Sequence, residues 1–360
     1  MALLIMDGFD WMGNTLNGTQ MGAAMSRLWP GTAFNSGDGT ELGSRGAGTA
    51  LGWGNSTLGG RELKSAALRP LSHANNEIII GWYCRTPASS WLGNRMILRV
   101  YSDTDTTAES INLNSNTGNS TLDLRRGTTV IENNIVTGMA LNTWYHIEVL
   151  FDMLDAGTCV IKIDGTIVYD STSGAIDLQP NADTTKTWQH VELGQWGTNH
   201  WIDDVFIMDG SGTDFNSFLG PQYIETVLPD GDGSQTDWTD SAAAGTNYYQ
   251  MIDEADVDDD TTYLISGTST DETLSTFAAM TLTGQEPIAV SHHVDIRLDT
   301  AGSTDITLSA RSGSTVDSSA ISITSTSYDQ KYVIHETNPV TAAAWTKTAF
   351  EAFEFGAKIV

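Results

Sequence analysis

The strongest constraint on this sequence is the alternation of apolar and polar residues with a period of two. Stretches such as "RMILRVYSD", "ESINLNSN" and "CVIKIDGTIVYD" alternate in this way, and Gly, Asn, Asp or Ser residues bound them. Alternation sends successive side chains to opposite faces of a strand, whereas helical periodicity is almost absent. The sequence therefore predicts an all-β protein of short antiparallel strands, arranged as two β-sandwich domains in tandem.

Length and pattern together divide the chain into modules. A chain of 360 residues exceeds what one hydrophobic core usually organises. We assign residues 1–210 to a first sandwich, 211–228 to a packed connecting strap and 229–360 to a second, smaller sandwich with one short helical turn before its last strand. The stretch "PDGDGSQTDW" is rich in turn-forming residues and is interpreted as a loop. Four apolar side chains of the strap are expected to pack on the first module and to form an interface between copies of the chain: Phe215, Phe218, Leu219 and Tyr223.

The charge balance restricts the partners. The chain has 45 acidic residues against 17 Lys and Arg, a formal net charge of -28 that repels nucleic acid and anionic membranes. No stretch approaches the roughly 20 apolar residues that span a bilayer, so no membrane insertion is expected. The start "MALLIMDGFD" lacks the basic segment of a signal peptide, which predicts synthesis in a cytoplasm. Cys84 and Cys159 lie in apolar strand-like runs and are expected to be reduced core residues.

Patterns that would indicate catalysis are incomplete. The chain has no Gly-x-Ser-x-Gly nucleophile elbow and no zinc-ligand spacing. "EADVDD" at 254–259 only approximates the paired carboxylates of a glycan hydrolase. "GRELK" at 60–64 and "WQHVELG" at 188–194 resemble parts of the alginate-lyase signature, and the third part is missing. We therefore predict that the protein is not an enzyme.

Adjacent acids stand in the strand "NHWIDDVFIMDG". Alternation would send Asp203 and Asp204 to opposite faces, so they could not act together on one substrate atom. We expect one of them to accept a hydrogen bond from a neighbouring loop and the other to be solvated.

Two further stretches offer candidate binding sites. "DEADVDDDTT" clusters the side-chain oxygens that calcium prefers, with candidate ligands Asp253, Asp256, Asp258 and Asp260. The same acids also suit a solvated loop in a protein of this charge, and no other cofactor is indicated. Trp53 lies among glycines in "ALGWGNSTLGG" and is the candidate for an exposed aromatic platform that binds a glycan, with core packing as the alternative.

Longer stretches resemble known families. "LNTWYHIEVLFDMLDAGTCVIKIDGTIVYD" followed by "WIDDVFIMDG" resembles the laminin-G and concanavalin-A-like jelly-roll family. This resemblance implies that "WIDDVFIMDG" lies beside the first strand of the chain. The wider pattern, from "MDGFD" near the start to "AWTKTAFEAFEFGAKIV" at the end, resembles structural proteins of tailed-phage particles.

The second resemblance implies a function. It implies a non-catalytic virion component, either a tail appendage or tail-tip protein or a capsid-surface decoration, made in the host bacterial cytoplasm. Its partners would be other virion proteins and further copies of itself in a homo-oligomer, with a host-surface glycan as an additional partner. Two alternatives stay open, a glycan-binding module for host attachment and a polysaccharide-degrading enzyme.

Overall fold

The computed structural model contains many antiparallel strands and very little helix, which confirms the all-β fold. It describes residues 3–9, 29, 39–42, 49–53, 62–64, 77–87, 95–101, 110–115, 121–179, 190–194, 200–241, 245–254, 258–281 and 283–360. The chain divides into two compact units, Met1–Ile224 and Glu225–Val360. Within the described ranges, no helix is long and apolar enough to cross a membrane.

The first unit is built from two antiparallel sheets. The eight-stranded sheet has the order β12-β11-β10-β5-β14-β3-β2, with β1 also paired to β14, and the six-stranded sheet has the order β4-β13-β6-β7-β8-β9. The strands are β1 (Leu3–Asp7), β2 (Gly39–Leu42), β3 (Thr49–Trp53), β4 (Glu62–Lys64), β5 (Glu77–Arg85), β6 (Met96–Tyr101), β7 (Ser110–Ser115), β8 (Leu122–Arg126), β9 (Thr129–Val136), β10 (Trp144–Asp152), β11 (Cys159–Ile163), β12 (Thr166–Asp170), β13 (His190–Gly194) and β14 (His200–Met208).

The core of the first unit consists of alternate side chains of these strands. Trp82, Ile147 and Ile202 of the eight-stranded sheet are buried, and so are Val100 and Leu113 of the six-stranded sheet. Burial of such apolar side chains is the main stabilising contribution to a sandwich. The pairing of β1 with β14 confirms that the closing strand lies beside the first one.

Smaller predictions for this unit are also confirmed. The turn between β11 and β12 is formed by Asp164 and Gly165, both with positive φ, as a two-residue hairpin requires. Cys84 and Cys159 are buried and free. They lie on β5 and β11, and β10 runs between these two strands, so the thiols are not on neighbouring strands.

The prediction for the paired acids is wrong in one part. Asp204 does accept a hydrogen bond from a loop, since the Ile224 amide donates to its Oδ1 at 2.7 Å. Asp203, however, is buried rather than solvated, and its Oδ1 accepts from the Asp204 amide at 2.9 Å. The register against β5 shifts between Asp203 and Phe206, and Asp204 has φ 49°. This β-bulge breaks the alternation on which the prediction depended.

The segment from 211 to 224 packs on the first unit. The Glu148 carboxylate of β10 is buried, and its Oε1 accepts from the amides of Leu219 at 2.8 Å and Gly220 at 3.0 Å. Phe215 is buried as well, and the Phe218 ring lies 4.2 Å from the Lys162 ammonium. These contacts bind the segment to the outer face of the eight-stranded sheet. Of the predicted interface residues, Tyr223 is the most exposed at 54%.

The second unit contains a five-stranded sheet of order β15-β18-β23-β20-β21 and two strand pairs, β16-β17 and β19-β22. Its two short helical elements are a 3₁₀ turn (Tyr248–Met251) and α1 (Lys347–Phe350), which is the helical turn expected before the last strand. Its strands are β15 (Pro229–Thr236), β16 (Thr239–Asp240), β17 (Leu264–Ile265), β18 (Glu272–Phe277), β19 (Val290–Ile296), β20 (Thr304–Ser312), β21 (Thr315–Ile323), β22 (Asp329–His335) and β23 (Phe353–Ile359).

Packing in the second unit places the β19-β22 pair against the five-stranded sheet. Ile306 and Ile323 of that sheet are buried in a cluster that Val294 and Val333 of the strand pair join. A second cluster is aromatic and consists of Trp345, Phe350, Phe353 and Phe355 with smaller neighbours.

The interpretation of "PDGDGSQTDW" as a loop is wrong. Residues Pro229–Thr236 form β15, an edge strand paired with β18. A Cβ atom at Gly233 would lie 2.7 Å from the Leu274 carbonyl, and one at Gly231 would lie 2.6 Å from Thr276 Oγ1. Glycine is therefore required by the close approach of β18, although glycine is usually depleted in strands.

Candidate functional site

A polar layer covers the outer face of the six-stranded sheet. Alternate residues of its strands point away from the apolar core, because directly paired residues share one face. The pairs Arg99 with Asn112, Arg99 with Glu192 and Tyr101 with His190 lie on this face. The described members of the polar layer are Arg99, Tyr101, Ser110, Asn112, Asn114, Asp123, Arg125, His190 and Glu192.

Arg99 is at the centre of this layer. Its Nε donates to Asn112 Oδ1 at 2.7 Å, and one terminal nitrogen donates to the Tyr101 hydroxyl at 2.8 Å and to Glu192 Oε2 at 3.2 Å. The Tyr101 hydroxyl donates to the same Glu192 oxygen at 2.9 Å. A phenol, a guanidinium and a carboxylate are therefore in mutual contact, which fixes the positions of all three side chains.

Neighbouring residues hold this central group in place. Ser110 Oγ donates to Asn112 Oδ1 at 3.0 Å, and the Asn112 amide nitrogen donates to the Gly127 carbonyl at 2.8 Å. Further along the sheet, a terminal nitrogen of Arg125 lies 3.5 Å from Asp123 Oδ2. Since side chains that are locked by their neighbours lose little entropy when a ligand binds, this layer is preorganised.

The surroundings of Tyr101 set its protonation state. Burial raises the pKa of the Tyr101 hydroxyl, which the hydrogen bond from Arg99 opposes and the charge of Glu192 reinforces. The phenol therefore stays protonated at neutral pH and acts as a hydrogen-bond donor. The His190 ring meets the Tyr101 ring edge-on, with centroids 6.5 Å apart.

Buried polar atoms at the margin of the layer have no hydrogen-bond partner among the described residues. They are Asn114 Oδ1, Arg125 Nε and His190 Nδ1. Burying such an atom unpaired costs about 1–3 kcal/mol, so each is a position where an external donor or acceptor would be stabilising. The side chains of Arg99 and Arg125 are 15% and 19% exposed, and through them the layer reaches solvent.

The sequence patterns do not predict this layer, although two of the incomplete catalytic motifs lie on strands of the six-stranded sheet. The stretches "GRELK" and "WQHVELG" contain β4 and β13, which pair with each other, with Lys64 opposite Glu192. β13 in turn pairs with β6, which carries Arg99 and Tyr101. The available signal was the spacing of polar residues two apart, in "RVY" and "HVE", because such residues share one face of a strand.

The predicted glycan platform at Trp53 lies in a different place from the one expected. Trp53 ends strand β3 instead of lying in a loop, and its backbone pairs with His200 of β14. His200 is buried, and burial lowers its pKa to about 3. Trp53 belongs to the eight-stranded sheet and the polar layer to the six-stranded one.

Two of the predicted calcium ligands, Asp258 and Asp260, have different partners in the structure. Thr262 Oγ1 donates to Asp258 at 2.7 Å and to Glu254 at 2.8 Å, whereas Asp260 forms an ion pair with Arg297 at 2.7 Å. Asp253 takes no part in either of these interactions, and Asp256 lies outside the described residues. No group of three or more His, Cys, Asp or Glu side chains among the described residues could hold a metal ion.

Comparisons with known proteins give structural likenesses only. No family model matches the chain, and no curated protein matches it. An endo-β-1,4-glucuronan lyase from the fungus Trichoderma reesei matches with TM-score 0.35 and 13% identity, over 48% of this chain and 86% of that one. The alginate lyase Aly36B matches with TM-score 0.38 and 11% identity, over 56% and 96%. A Trypanosoma rangeli sialidase matches with TM-score 0.33 and 12% identity, over 50% and 29%.

These findings correct the function expected from the sequence. The structures just named are glycan-processing enzymes, and they contradict the expectation of a non-catalytic building block of a tailed-phage particle. That expectation came from strand and hairpin patterns, which specify an architecture that proteins of many functions share. The residues of the site, rather than the architecture, therefore indicate the function.

Proposed function

We propose that this protein binds a glycan at the polar layer on the outer face of the six-stranded sheet. One observation supports this most directly, the contact group of Arg99, Tyr101 and Glu192 with unpaired buried polar atoms at its margin. Sugar hydroxyls both donate and accept hydrogen bonds, so they match a surface that offers guanidinium, amide, imidazole and carboxylate groups side by side. The edge-on rings of Tyr101 and His190 add an apolar contact.

A purely structural role would not require this composition. The outer face of a sandwich sheet is stable with simple solvated side chains, whereas here Asn112, Asp123 and Glu192 are each at most 3% exposed. Burying charged groups is costly unless they are paired, and replacing them by apolar residues is often neutral or stabilising. A layer that keeps these groups in fixed positions, with buried atoms of Asn114, Arg125 and His190 at its margin that have no partner among the described residues, fits a binding surface better than a purely stabilising role.

The same contact group favours a second candidate function, glycan cleavage. The protonated Tyr101 hydroxyl lies beside both a cation and a carboxylate, an arrangement suited to donating a proton to a leaving sugar oxygen. The step would be a β-elimination on a uronate, in which Glu192 takes the proton from the carbon next to the carboxyl group, Arg99 stabilises the negative charge that develops there, and a carbon–carbon double bond forms as the bond to the leaving oxygen breaks. The incomplete motifs predict that the protein is not an enzyme. That prediction is not yet tested, and a turnover measurement decides between it and glycan cleavage.

The test measures binding and turnover in the same variants. Calorimetric titration with alginate, laminarin and sialylated oligosaccharides is expected to detect binding to at least one glycan. Arg99→Met should weaken that binding by about 10- to 150-fold, since a hydrogen bond to a charged group contributes about 1.5–3 kcal/mol. Arg297→Met, which removes an exposed ion pair of the second unit, is the matched control and should bind normally.

Tyr101→Phe separates the two candidates. If the layer only binds, this variant should keep most of the affinity and no variant should release reducing ends. If the layer cleaves, the wild type should release them and Tyr101→Phe should not. The proposal is wrong if no glycan binds, or if Arg99→Met binds as tightly as the wild type.

A further inference from the structure

A row of large side chains crosses the other sheet of the first unit. Trp144 on β10 pairs directly with Arg85 on β5, and Arg85 pairs directly with Trp201 on β14. Directly paired residues point to the same face, so the three side chains form one row perpendicular to the strands. Strands lie about 4.8 Å apart, which places the Cα atoms of the two tryptophans about 10 Å from each other with that of Arg85 between them. All three residues are partly exposed.

Glycines continue this row at one end. Trp201 pairs with Gly52 on β3, and Gly52 pairs with Gly39 on β2. Since glycine has no side chain, these two residues add no side chain to the row beyond Trp201. The row therefore consists of an aromatic, a cationic and a second aromatic side chain.

The chain holds this row in a fixed position. The Asn142 side-chain oxygen accepts from Arg85 Nε at 3.0 Å. The next residue, Thr86, is buried, and its hydroxyl donates to the Ala140 carbonyl at 2.7 Å and accepts from the Thr143 amide at 3.0 Å. These bonds fasten the end of β5 to the segment that enters β10. A fixed row binds a ligand without a large loss of conformational entropy.

We propose that the row Trp144–Arg85–Trp201 is a second glycan-binding surface, selective for a linear glycan that carries carboxylate or sulfate groups. Sugar rings stack on indole faces through their C–H groups, and a guanidinium between two such faces pairs bidentately with an anionic substituent. The net charge of -28 does not forbid this, because charges beyond about 8 Å are screened at physiological salt. The polar layer lies on the other sheet, so this surface is a separate site.

The experiment uses the full chain with Arg99→Met in every sample, so that the result does not depend on the polar layer. Three oligosaccharides of equal length are titrated: a uronate oligomer, a sulfated one and a neutral one. We expect quenching of tryptophan fluorescence by the uronate or the sulfated oligomer. Binding should weaken at least tenfold in Arg85→Gln and in Trp201→Ala. Ile167→Ala, at an exposed position of β12, is the control and should bind normally.

Variants that keep their far-ultraviolet spectrum are compared, and Trp201→Phe replaces Trp201→Ala if the latter unfolds, with a smaller loss expected. Binding by one acidic oligomer alone identifies the anionic group that the row recognises. Equal binding of the neutral oligomer would overturn the selectivity. Undiminished binding by Arg85→Gln and both Trp201 variants, or no binding of either acidic oligomer, would overturn the site.

Discussion

Acidification should destabilise the second unit through a buried histidine. His292 on β19 is 6% exposed, and its ring lies 5.3 Å from that of Phe355. Its Nδ1 has no hydrogen-bond partner among the residues that the structure describes. Burial, together with the smaller effects of the nearby His335 and His293, lowers the pKa of His292 from 6.5 to about 3. The native imidazole is therefore neutral throughout the physiological range.

The direction of the effect follows from the difference in proton binding. Below pH 6.5 His292 becomes protonated in the unfolded chain but stays neutral in the native chain. The contribution of this residue to the free energy of unfolding is therefore complete above pH 6.5 and decreases as the pH is lowered toward about 3. One pKa unit corresponds to about 1.4 kcal/mol, so this group alone should remove about 2 kcal/mol between pH 7 and pH 5. At pH 4 the loss should reach about 3 kcal/mol.

The assay compares the wild type with His292→Leu in urea at pH 7, 6 and 5. Hydrogen exchange of the β19 and β22 amides reports on the second unit alone. The readout is the change of the free energy of unfolding between pH 7 and pH 5, which should be about 2 kcal/mol smaller in the variant. Identical pH dependence in the two proteins, or a titration of the His292 ring by NMR near its ordinary pKa, would refute the reasoning.

Two further substitutions test contacts of the first unit. Gly81→Ala would place a Cβ 2.0 Å from the Phe206 ring and should cost about 1–3 kcal/mol; an unchanged melting temperature would mean that the ring moves aside freely. Glu148→Leu should leave the amides of Leu219 and Gly220 without their acceptor and cost about 2–5 kcal/mol. Hydrogen exchange at those two amides should then accelerate, while Glu148→Gln, which keeps an acceptor oxygen, should show the smaller change.

The sequence predicted many of the strands, but it did not predict the polar layer. The alternation of apolar and polar residues predicted β10 and the hairpin between β11 and β12, because consecutive residues of a strand point to opposite faces. The polar layer depends instead on the pairing of β6 with β13, whose members Arg99 and Glu192 are 93 residues apart. Pairing over such a distance is set by the packing of the whole sandwich, so no local pattern specifies it.

Two wrong predictions, for the paired acids and for the segment that forms β15, have the same kind of physical cause. The bulge at Asp204 depends on a left-handed backbone conformation at this residue. Aspartate can adopt that conformation, but no sequence pattern predicts it here. The glycines of β15 disfavour a strand by intrinsic propensity, and only the close approach of β18 makes them necessary. In both places tertiary contacts override the local preference.

The acidic edge of the second unit has a consequence for behaviour at high concentration. β15 begins with Pro229, which has no amide hydrogen to offer, and carries Asp230 and Asp232 exposed along its length. A second chain that tried to extend the five-stranded sheet at this edge would align carboxylate against carboxylate and lose a backbone hydrogen bond. This edge strand therefore disfavours pairing with a strand of another chain. It should prevent copies of the protein from forming fibrils through this edge.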